Sequence, residues 1–251
     1  MNNLIELNDI SAGYEDKRIL TNVSIHIAHK DFVGIIGPNG GGKTTLLRVI
    51  LGMLKPFSGN ISFFNADGTQ TEHIKMGYLP QHTQIDRNFP ISVREVLRSG
   101  QSWSFRSMFR SEKKVRDAKQ LDAVVERFHL NDIIDKHISE LSGGQIQRVL
   151  LARAVISKPD IVILDEPNTY IDLRFQSQTY EMLKSINDEC AVVVVGHDID
   201  ALLKNARNIV CVNHSAEQYD AKSISPETIN RCFMQDKSSC PDFVTQKTCI
   251  L

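Results

Sequence analysis

The sequence predicts an α/β fold with a parallel-sheet core, an antiparallel β subdomain and an α-helical subdomain. Three observations support this prediction. The apolar runs 161–164 and 191–195 are typical of strands covered on both faces, as in a parallel sheet. The segments 4–10 and 23–27 alternate apolar and polar residues, which favours antiparallel strands with one solvated face. From residue 92 to about residue 138 the spacing of apolar residues becomes helical.

Composition limits the function classes. The chain has 251 residues, of which 41% are hydrophobic and 24% charged, as in an ordinary soluble globular protein. Its net charge of −1 gives no overall attraction to nucleic acid, so no nucleic-acid partner is predicted. No run of 18 apolar residues predicts a membrane span, and the N-terminus lacks the features of a signal peptide. Five cysteines without paired spacing suit a reducing compartment, so we expect a cytoplasmic protein.

The first elements form the predicted antiparallel sheet. The segment 11–17 between its first two strands is rich in turn formers and is expected to be a loop. Residues 61–64 are expected to join the same sheet, followed by a turn at Asp67-Gly68 and a strand near 76–79. Tyr14, in the expected loop, could stack on an adenine ring or could be a half-buried loop tyrosine.

Residues 37–44 follow the spacing G-x-x-x-x-G-K-T, the P-loop pattern. An apolar strand pattern precedes them and an amphipathic helix pattern begins at Lys43, which favours a nucleotide site over a chance glycine-rich turn. Glycines allow successive backbone N–H groups to turn around phosphate oxygens, and the helix N-terminus favours the same anion. We expect Lys43 to reach the β- and γ-phosphates and the Thr44 hydroxyl to bind Mg²⁺. The core is therefore predicted to be of the P-loop NTPase (RecA-like) type.

The predicted helical subdomain is rich in basic residues in its first half. A solvated helical face and a surface for membrane headgroups or another polypeptide are both compatible with this pattern. The basic residues concerned are Arg94, Arg98, Arg106, Arg110, Lys113, Lys114, Arg116 and Lys119.

The segment Leu141-Ser-Gly-Gly-Gln, which we call the signature segment (141–145), precedes a strong helix pattern at 146–156. Ser142 is a natural helix N-cap, and the two glycines would let another group approach the exposed N–H donors. From the residues alone, this segment could equally be no more than a capped helix start.

Two carboxylates end the apolar run 161–164, at the edge where ligands of open α/β sheets bind. We expect Asp165 to bind Mg²⁺, directly or through water, and Glu166 to orient or deprotonate an attacking water. The alternative is a pair of structural acidic residues. A helix is expected at 172–188, and the strand 191–195 ends near His197, which could bind a γ-phosphate oxygen or could be structural.

The end of the chain shows less pattern. A last strand is expected at 208–213, and residues 215–251 have no clear periodicity. They contain Cys232, Cys240 and Cys249 after His214, but the spacing matches no zinc template. We therefore interpret this segment as a peripheral cap with a loose end rather than as a metal-sensing tail.

Four motifs follow one another along the chain: the P-loop (37–44), the signature segment (141–145), Leu164-Asp-Glu-Pro and Gly196-His197. With these motifs in this order, the chain from about residue 4 to residue 213 resembles an ATP-binding cassette (ABC) ATPase. The resemblance implies ATP and Mg²⁺ as cofactors and a dimer, expected to be a homodimer, in which each ATP lies between one P-loop and the partner's signature segment. It implies that Tyr14 stacks on adenine, that Glu166 is the catalytic base, and that His197 is the switch histidine. It implies that Gln81 senses Mg²⁺ and links the site to a membrane partner, and that Asp172 crosses the dimer interface.

The resemblance thus assigns catalytic residues, nucleotide-binding residues and metal ligands. The catalytic set is Glu166, His197, Gln81 and Lys43. The metal ligands are Thr44, Gln81 and Asp165. The nucleotide-binding set is Tyr14, Gly37, Pro38, Asn39, Gly40, Gly41, Gly42, Lys43, Thr44, Thr45, Ser142, Gly143, Gly144 and Gln145. One departure from the family pattern is Tyr170, which stands where a small residue is usual.

The segment after Gln81, with Asp86, Phe89-Pro90 and Val93, is similar to the same segment in importers of zinc, manganese and iron. This likeness implies integral membrane permease subunits, an extracytoplasmic substrate-binding protein, and a position at the cytoplasmic face of the membrane. We expect an ABC ATPase domain at 1–213, with its helical subdomain at about 85–150, and a peripheral segment at 214–251. Alternatives are a transporter ATPase for an iron chelate, haem or lipid, a soluble ABC protein acting on ribosomes or DNA, and a scaffold ATPase for cofactor assembly.

Overall fold

The computed structural model describes residues 2–81, 90–101, 111–167 and 173–234, and gives only the backbone for 111–115 and 173–177. In this part of the chain, ten strands and seven α-helices form two sheets with helices around them. The strands are β1 (Asn3–Tyr14), β2 (Lys17–Ala28), β3 (Phe32–Ile36), β4 (Ser58–Phe64), β5 (Gln70–Thr71), β6 (Met76–Leu79), β7 (Ile161–Asp165), β8 (Ala191–Val195), β9 (Asn208–Asn213) and β10 (Ser215–Asp220). The helices are α1 (Lys43–Ile50), α2 (Val93–Ser99), α3 (Ser111–Arg127), α4 (Gly143–Val155), α5 (Leu173–Asn187), α6 (Ile199–Asn205) and α7 (Pro226–Phe233).

The larger sheet has the strand order β10-β9-β3-β8-β7-β6. The five strands from β9 to β6 are parallel, and β10 is an antiparallel edge strand. The carboxyl ends of β3, β6, β7 and β8 therefore lie along one edge, because parallel strands end at the same side of a sheet. The predicted parallel core with an antiparallel subdomain and helices is confirmed.

Strand β8 shows why the parallel strands are almost entirely apolar. Val192 and Val194 belong to an apolar cluster on the face covered by helices α2, α4 and α5. Val193 and Val195 belong to a second cluster on the opposite face, shared with α1 and the antiparallel sheet. Because successive residues of a strand point to opposite faces, a sheet buried on both sides needs apolar residues at every position.

The smaller sheet is antiparallel, with the order β2-β1-β4-β5. A side chain joins it to the larger sheet at one edge. The backbone N–H of His26 in β2 donates to Oε1 of Gln218 in β10 (3.1 Å), and Nε2 of Gln218 donates to the carbonyl oxygen of His26 (3.0 Å). The Gln218 amide thus replaces one backbone pairing and stabilises the contact between the sheets.

Two details differ from the sequence-based expectation. The expected loop at 11–17 is wrong, since β1 runs to Tyr14 and only Glu15 and Asp16 lie between the strands. Turn-forming residues extend the strand here because Gly13 allows close approach: a Cβ on it would lie 2.0 Å from the carbonyl oxygen of Lys17. The second difference is that residues 215–234, which show no clear periodicity, form β10 and α7.

Candidate functional site

The P-loop connects β3 to α1 as the spacing predicts. All five residues of β3 are buried, and α1 begins at Lys43. The loop passes close to the end of β9, where a Cβ on Gly37 would lie 2.0 Å from the carbonyl oxygen of Val212. The backbone N–H of His214 donates to the carbonyl oxygen of Gly41 (2.8 Å). Glycine at position 37 is therefore required by packing, and the end of β9 with the residue that follows it supports the loop.

Lys43 is almost fully buried inside the loop that precedes it. Its Nζ atom donates to the carbonyl oxygens of Gly37 (2.9 Å) and Pro38 (3.0 Å). Burial lowers the pKa of the Lys43 ammonium group, and the negative charges of Glu166 and Asp165 partly offset this effect. A cation held in this way is positioned to interact with a phosphate group that enters the loop.

Thr44 and Asp165 bring together oxygen atoms from α1 and from the end of β7. The Thr44 hydroxyl donates to Oδ2 of Asp165 at 3.3 Å, and Asp165 is only 2% exposed. Burial raises the pKa of the Asp165 carboxyl group, and the neighbouring Glu166 raises it further. A hydroxyl beside a buried carboxylate suits a hard divalent cation such as Mg²⁺, whose charge would offset this cost. The donor set therefore fits the predicted metal ion.

Glu166 lies between side chains from two neighbouring strands. Nε2 of Gln81, two residues beyond β6, donates to Oε2 of Glu166 at 2.5 Å. Nε2 of His197, just after β8, lies 2.6 Å from Oε1 of the same carboxylate. The backbone of Glu166 has a φ of 51°, in the left-handed region, and its N–H donates to the carbonyl oxygen of Val195 (2.9 Å). The structure thus brings together three of the predicted catalytic residues.

A cavity of about 240 Å³ lies beside Glu166 and His197, and Pro167, Tyr180, Gly196 and Asp198 are among its other lining residues. Burial and the nearby negative charge of Asp198 raise the pKa of Tyr180 to about 12. Its phenol is therefore neutral at physiological pH. The cavity is large enough for several water molecules beside the carboxylate that we expect to act as a base.

The signature segment begins α4. Ser142 accepts a hydrogen bond from the N–H of Gln145 (3.3 Å), and the Gln145 side chain accepts one from the N–H of Ser142 (2.9 Å), a capping box. Ser142 and Gly143 are exposed, and a Cβ on Gly143 would meet no described atom within 4 Å. Among the hydrogen bonds of the described ranges, none joins 142–145 to the P-loop. The predicted N-cap at Ser142 is therefore present, and the remaining backbone N–H donors at the start of α4 are open to solvent.

Comparison with known proteins assigns the chain to a family. Residues 20–169 match the family model for ABC transporters. The chain belongs to the ABC transporter family. It is 33% identical over 229 residues to the zinc import ATP-binding protein ZnuC of Hydrogenovibrio crunogenus, covering 90% of this chain and 84% of that protein. It is 35% identical over 217 residues to the zinc uptake system ATP-binding protein ZurA of Listeria monocytogenes, covering 85% and 84%.

A solved structure supports the fold of this ABC ATPase. It is the dimeric, post-hydrolysis state of an ATP-binding cassette bound to ADP and phosphate. The TM-score is 0.71 at 24% identity, and the match covers 88% of this chain and all of the other. The resemblance inferred from the motifs, to the ATPase of a metal-importer type of ABC transporter, is confirmed. In the described residues no helix has the length and apolarity needed to cross a membrane.

Tyr14 lies at the end of β1 and is 40% exposed. Nη1 of Arg48, in the last turn of α1, donates to the Tyr14 hydroxyl at 2.9 Å, and the guanidinium carbon lies 5.7 Å from the ring centroid. The ring is thus tied to the helix that follows the P-loop, with part of its surface open. Its stacking on adenine stays a prediction.

Some predicted residues lie outside the described part of the chain. These are Asp172 and Tyr170, Asp86 and Phe89 of the importer-like segment, and the basic residues Arg106 and Arg110. Arg94, also assigned to the basic surface, forms an exposed ion pair with Asp135 (2.8 Å). Two residues that contact the site are not predicted from the sequence, because neither belongs to a motif that carries chemistry of its own. They are His214, between β9 and β10, and Gln147 in α4.

Proposed function

We propose that this chain is the ATP-hydrolysing subunit of an ABC transporter that imports a metal ion, zinc, manganese or iron, through a separate membrane permease. The observation that carries the ATPase assignment is the position of Glu166. Its carboxylate is held by Gln81 and His197 at the strand ends that also present Asp165 and the P-loop. Family membership and relatives named for zinc import support the cargo.

In this proposal, each residue of the site has a separate role in phosphoryl transfer. Lys43 moves from the carbonyl oxygens of Gly37 and Pro38 to the β- and γ-phosphates of ATP. Thr44 and Asp165 would hold Mg²⁺, which would supply positive charge beside the phosphate oxygens when bound. Glu166 orients the attacking water and accepts its proton, and His197 donates a hydrogen bond to a γ-phosphate oxygen.

A second subunit completes each site in this proposal. The signature segments are exposed at the start of α4, and Ser142, Gly143 and Gly144 carry donors that suit a phosphate. ATP bound at one P-loop would thus also contact the partner's signature segment, so ATP favours a closed dimer. Hydrolysis removes that bridge and the dimer opens.

Family membership supports the remaining partners of this proposal. The permease subunits supply the path through the membrane, and this chain binds them at the cytoplasmic face, through the region around Gln81 and the helical subdomain. An extracytoplasmic protein delivers the metal ion to the permease. The metal ion itself never contacts this subunit, so the cargo has to be measured in cells.

The test compares total cellular zinc, manganese and iron in cells grown under metal limitation and lacking redundant importers. Cells carry the wild-type gene, a deletion, or the deletion restored with wild type, Glu166→Gln or Glu181→Gln. Glu181 is exposed on α5 and serves as the matched control. We expect one metal to fall on deletion and to be restored by wild type and Glu181→Gln only. If all three metals stay level, the proposed cargo is wrong; if Glu166→Gln restores the metal, the proposed catalytic role is wrong.

A further inference from the structure

Gln147, in the second turn of α4, is a buried side chain that no motif explains. It is 8% exposed, and its Nε2 atom donates to the carbonyl oxygen of Pro167 at 2.7 Å. A carbonyl oxygen can only accept, so the amide nitrogen, not the amide oxygen, must face Pro167. The contact joins α4 directly to the segment that follows the strand β7.

Pro167 comes immediately after Glu166, so this hydrogen bond acts on the backbone of the predicted base. Before Pro167, the N–H of Glu166 is held by the carbonyl oxygen of Val195 in β8. After Glu166, the chain is held by Gln147 in α4. Because a left-handed φ of 51° persists only where the surrounding structure supports it, these two anchors help to set where the Glu166 carboxylate lies. The position of that carboxylate therefore depends on where α4 lies.

Helix α4 carries the signature segment at its first turn. Ser142 is five residues before Gln147 on the same continuous helix, whose backbone hydrogen bonds make it move as one unit. If the partner's ATP contacts Ser142 and Gly144, as in the proposed function, the shift of the helix reaches Pro167 through Gln147. No other hydrogen bond of the described residues links α4 to Pro167.

The other end of the Gln147 amide has no hydrogen-bond partner among the described residues. Its Oε1 atom is buried and accepts no hydrogen bond in the described part of the chain. A buried acceptor without a donor costs free energy, so the Gln147 link is less stable than one in which both ends of the amide are hydrogen-bonded. The link therefore has a reason to rearrange when α4 moves.

We propose that Gln147 is a positioning residue that couples ATP bound at the partner's P-loop to the Glu166 of its own subunit. This inference rests on the proposed function, because it uses the contact between the signature segment and the partner's ATP. Removing the link leaves both ATP-binding surfaces intact but removes the hydrogen bond that ties the backbone after Glu166 to α4. Turnover then falls while ATP affinity does not.

The first experiment compares purified wild type with Gln147→Met, which keeps the length of the side chain without its donors. Leu150→Met, a partly buried position on the same helix, is the matched control. Thermal unfolding, the dissociation constant for a fluorescent ATP analogue and steady-state kcat are measured for each. We expect Gln147→Met to lower kcat about tenfold, within the range of allosteric couplings, with the dissociation constant unchanged within about twofold. Leu150→Met should match wild type.

A double-mutant cycle then separates coupling from local damage. Ser142→Ala is combined with Gln147→Met, and kcat is measured at saturating ATP. If the signature segment acts on Glu166 through Gln147, Ser142→Ala costs clearly less in the Gln147→Met background than in wild type. Costs that simply multiply would overturn the proposal, as would a wild-type kcat for Gln147→Met.

Other outcomes are also decisive. A fall in ATP affinity and in the unfolding temperature that accounts for the whole loss of kcat assigns Gln147 a purely structural role and overturns the proposal. If the wild-type protein itself neither binds nor hydrolyses ATP, the proposed function fails, and the coupling fails with it. An active wild type with an unaffected Gln147→Met variant rejects the coupling alone.

Discussion

The ammonium group of Lys43 donates a hydrogen bond of 2.9 Å to the carbonyl oxygen of Gly37, at the opposite end of the same loop. The P-loop is thus closed upon its own lysine, with a second hydrogen bond to Pro38. A phosphate group that enters replaces these neutral acceptors with a charged one, and charge-assisted hydrogen bonds are the stronger kind. The loop is therefore preorganised around a cation that a nucleotide can take over.

We expect Lys43→Met to lower the affinity for ATP by roughly 10- to 150-fold, because hydrogen bonds to charged groups are worth about 1.5–3 kcal/mol. The variant keeps a side chain of similar length, so the effect reports the charge. The dissociation constant for a fluorescent ATP analogue measures it. Lys55→Met, an exposed lysine shortly after α1, should bind like wild type. Equal affinities for the two variants would contradict the role of Lys43.

Tyr14 allows the ring and the hydroxyl to be tested separately. Tyr14→Phe removes the hydrogen bond from Arg48 and keeps the aromatic face, so ATP affinity should change by less than about threefold, the small effect of one exposed hydrogen bond. Tyr14→Ala removes the stacking surface, and stacking on a base is worth about 1–3 kcal/mol, so affinity should fall by roughly five- to 150-fold. The same titration measures both. If both variants lose equal affinity, the hydroxyl rather than the ring carries the contact.

The sequence predicts the core of the site well where a motif and its flanking elements agree. The P-loop lies between a buried strand and a helix that begins at Lys43, and Glu166 follows a buried strand, all as expected. These positions are local: a strand end or a helix start fixes the residue without reference to distant segments. The N-cap at Ser142 is likewise predicted from its own sequence neighbourhood.

What the sequence does not predict depends on contacts between distant segments. Gln147 reaches Pro167, 20 residues away, and its identity alone indicates only a polar residue on a helix. Strand β10 has no alternating apolar pattern from which it could be predicted. It is held instead by its pairing with β9 and by the Gln218 contact with His26. The prediction of a loop around Tyr14 is wrong for a related reason, since cross-strand pairing in a long hairpin overrides the turn preference of its residues.

Tyr180 predicts a pH dependence of stability. Its pKa is raised from the ordinary value of 10.0 to about 12 by burial and by Asp198. A raised native pKa gives stability that is complete below pH 10 and is lost as the pH rises through 12. Between these values the wild type should lose on the order of 2 kcal/mol more than Tyr180→Phe, at about 1.4 kcal/mol per pKa unit. Denaturant unfolding at several pH values measures this, and parallel pH profiles for the two proteins would contradict it.

Glu166→Gln tests the catalytic base with the least change in geometry. The new amide oxygen can still accept from Nε2 of Gln81, and its NH₂ group can donate to a neutral His197, so both contacts of the carboxylate have a replacement. An amide cannot accept a proton from water, so hydrolysis should fall by about 10²- to 10⁴-fold. ATP binding should persist, and since the bound ATP is no longer consumed, the closed dimer should accumulate in size-exclusion chromatography with ATP and Mg²⁺. Glu181→Gln, on the exposed face of α5, should hydrolyse ATP normally and accumulate no more dimer than the wild type does. A Glu166→Gln variant that hydrolyses ATP at the wild-type rate would instead show that another residue is the base. The contacts of Gln81 and His197 with the Glu166 carboxylate would then be only structural.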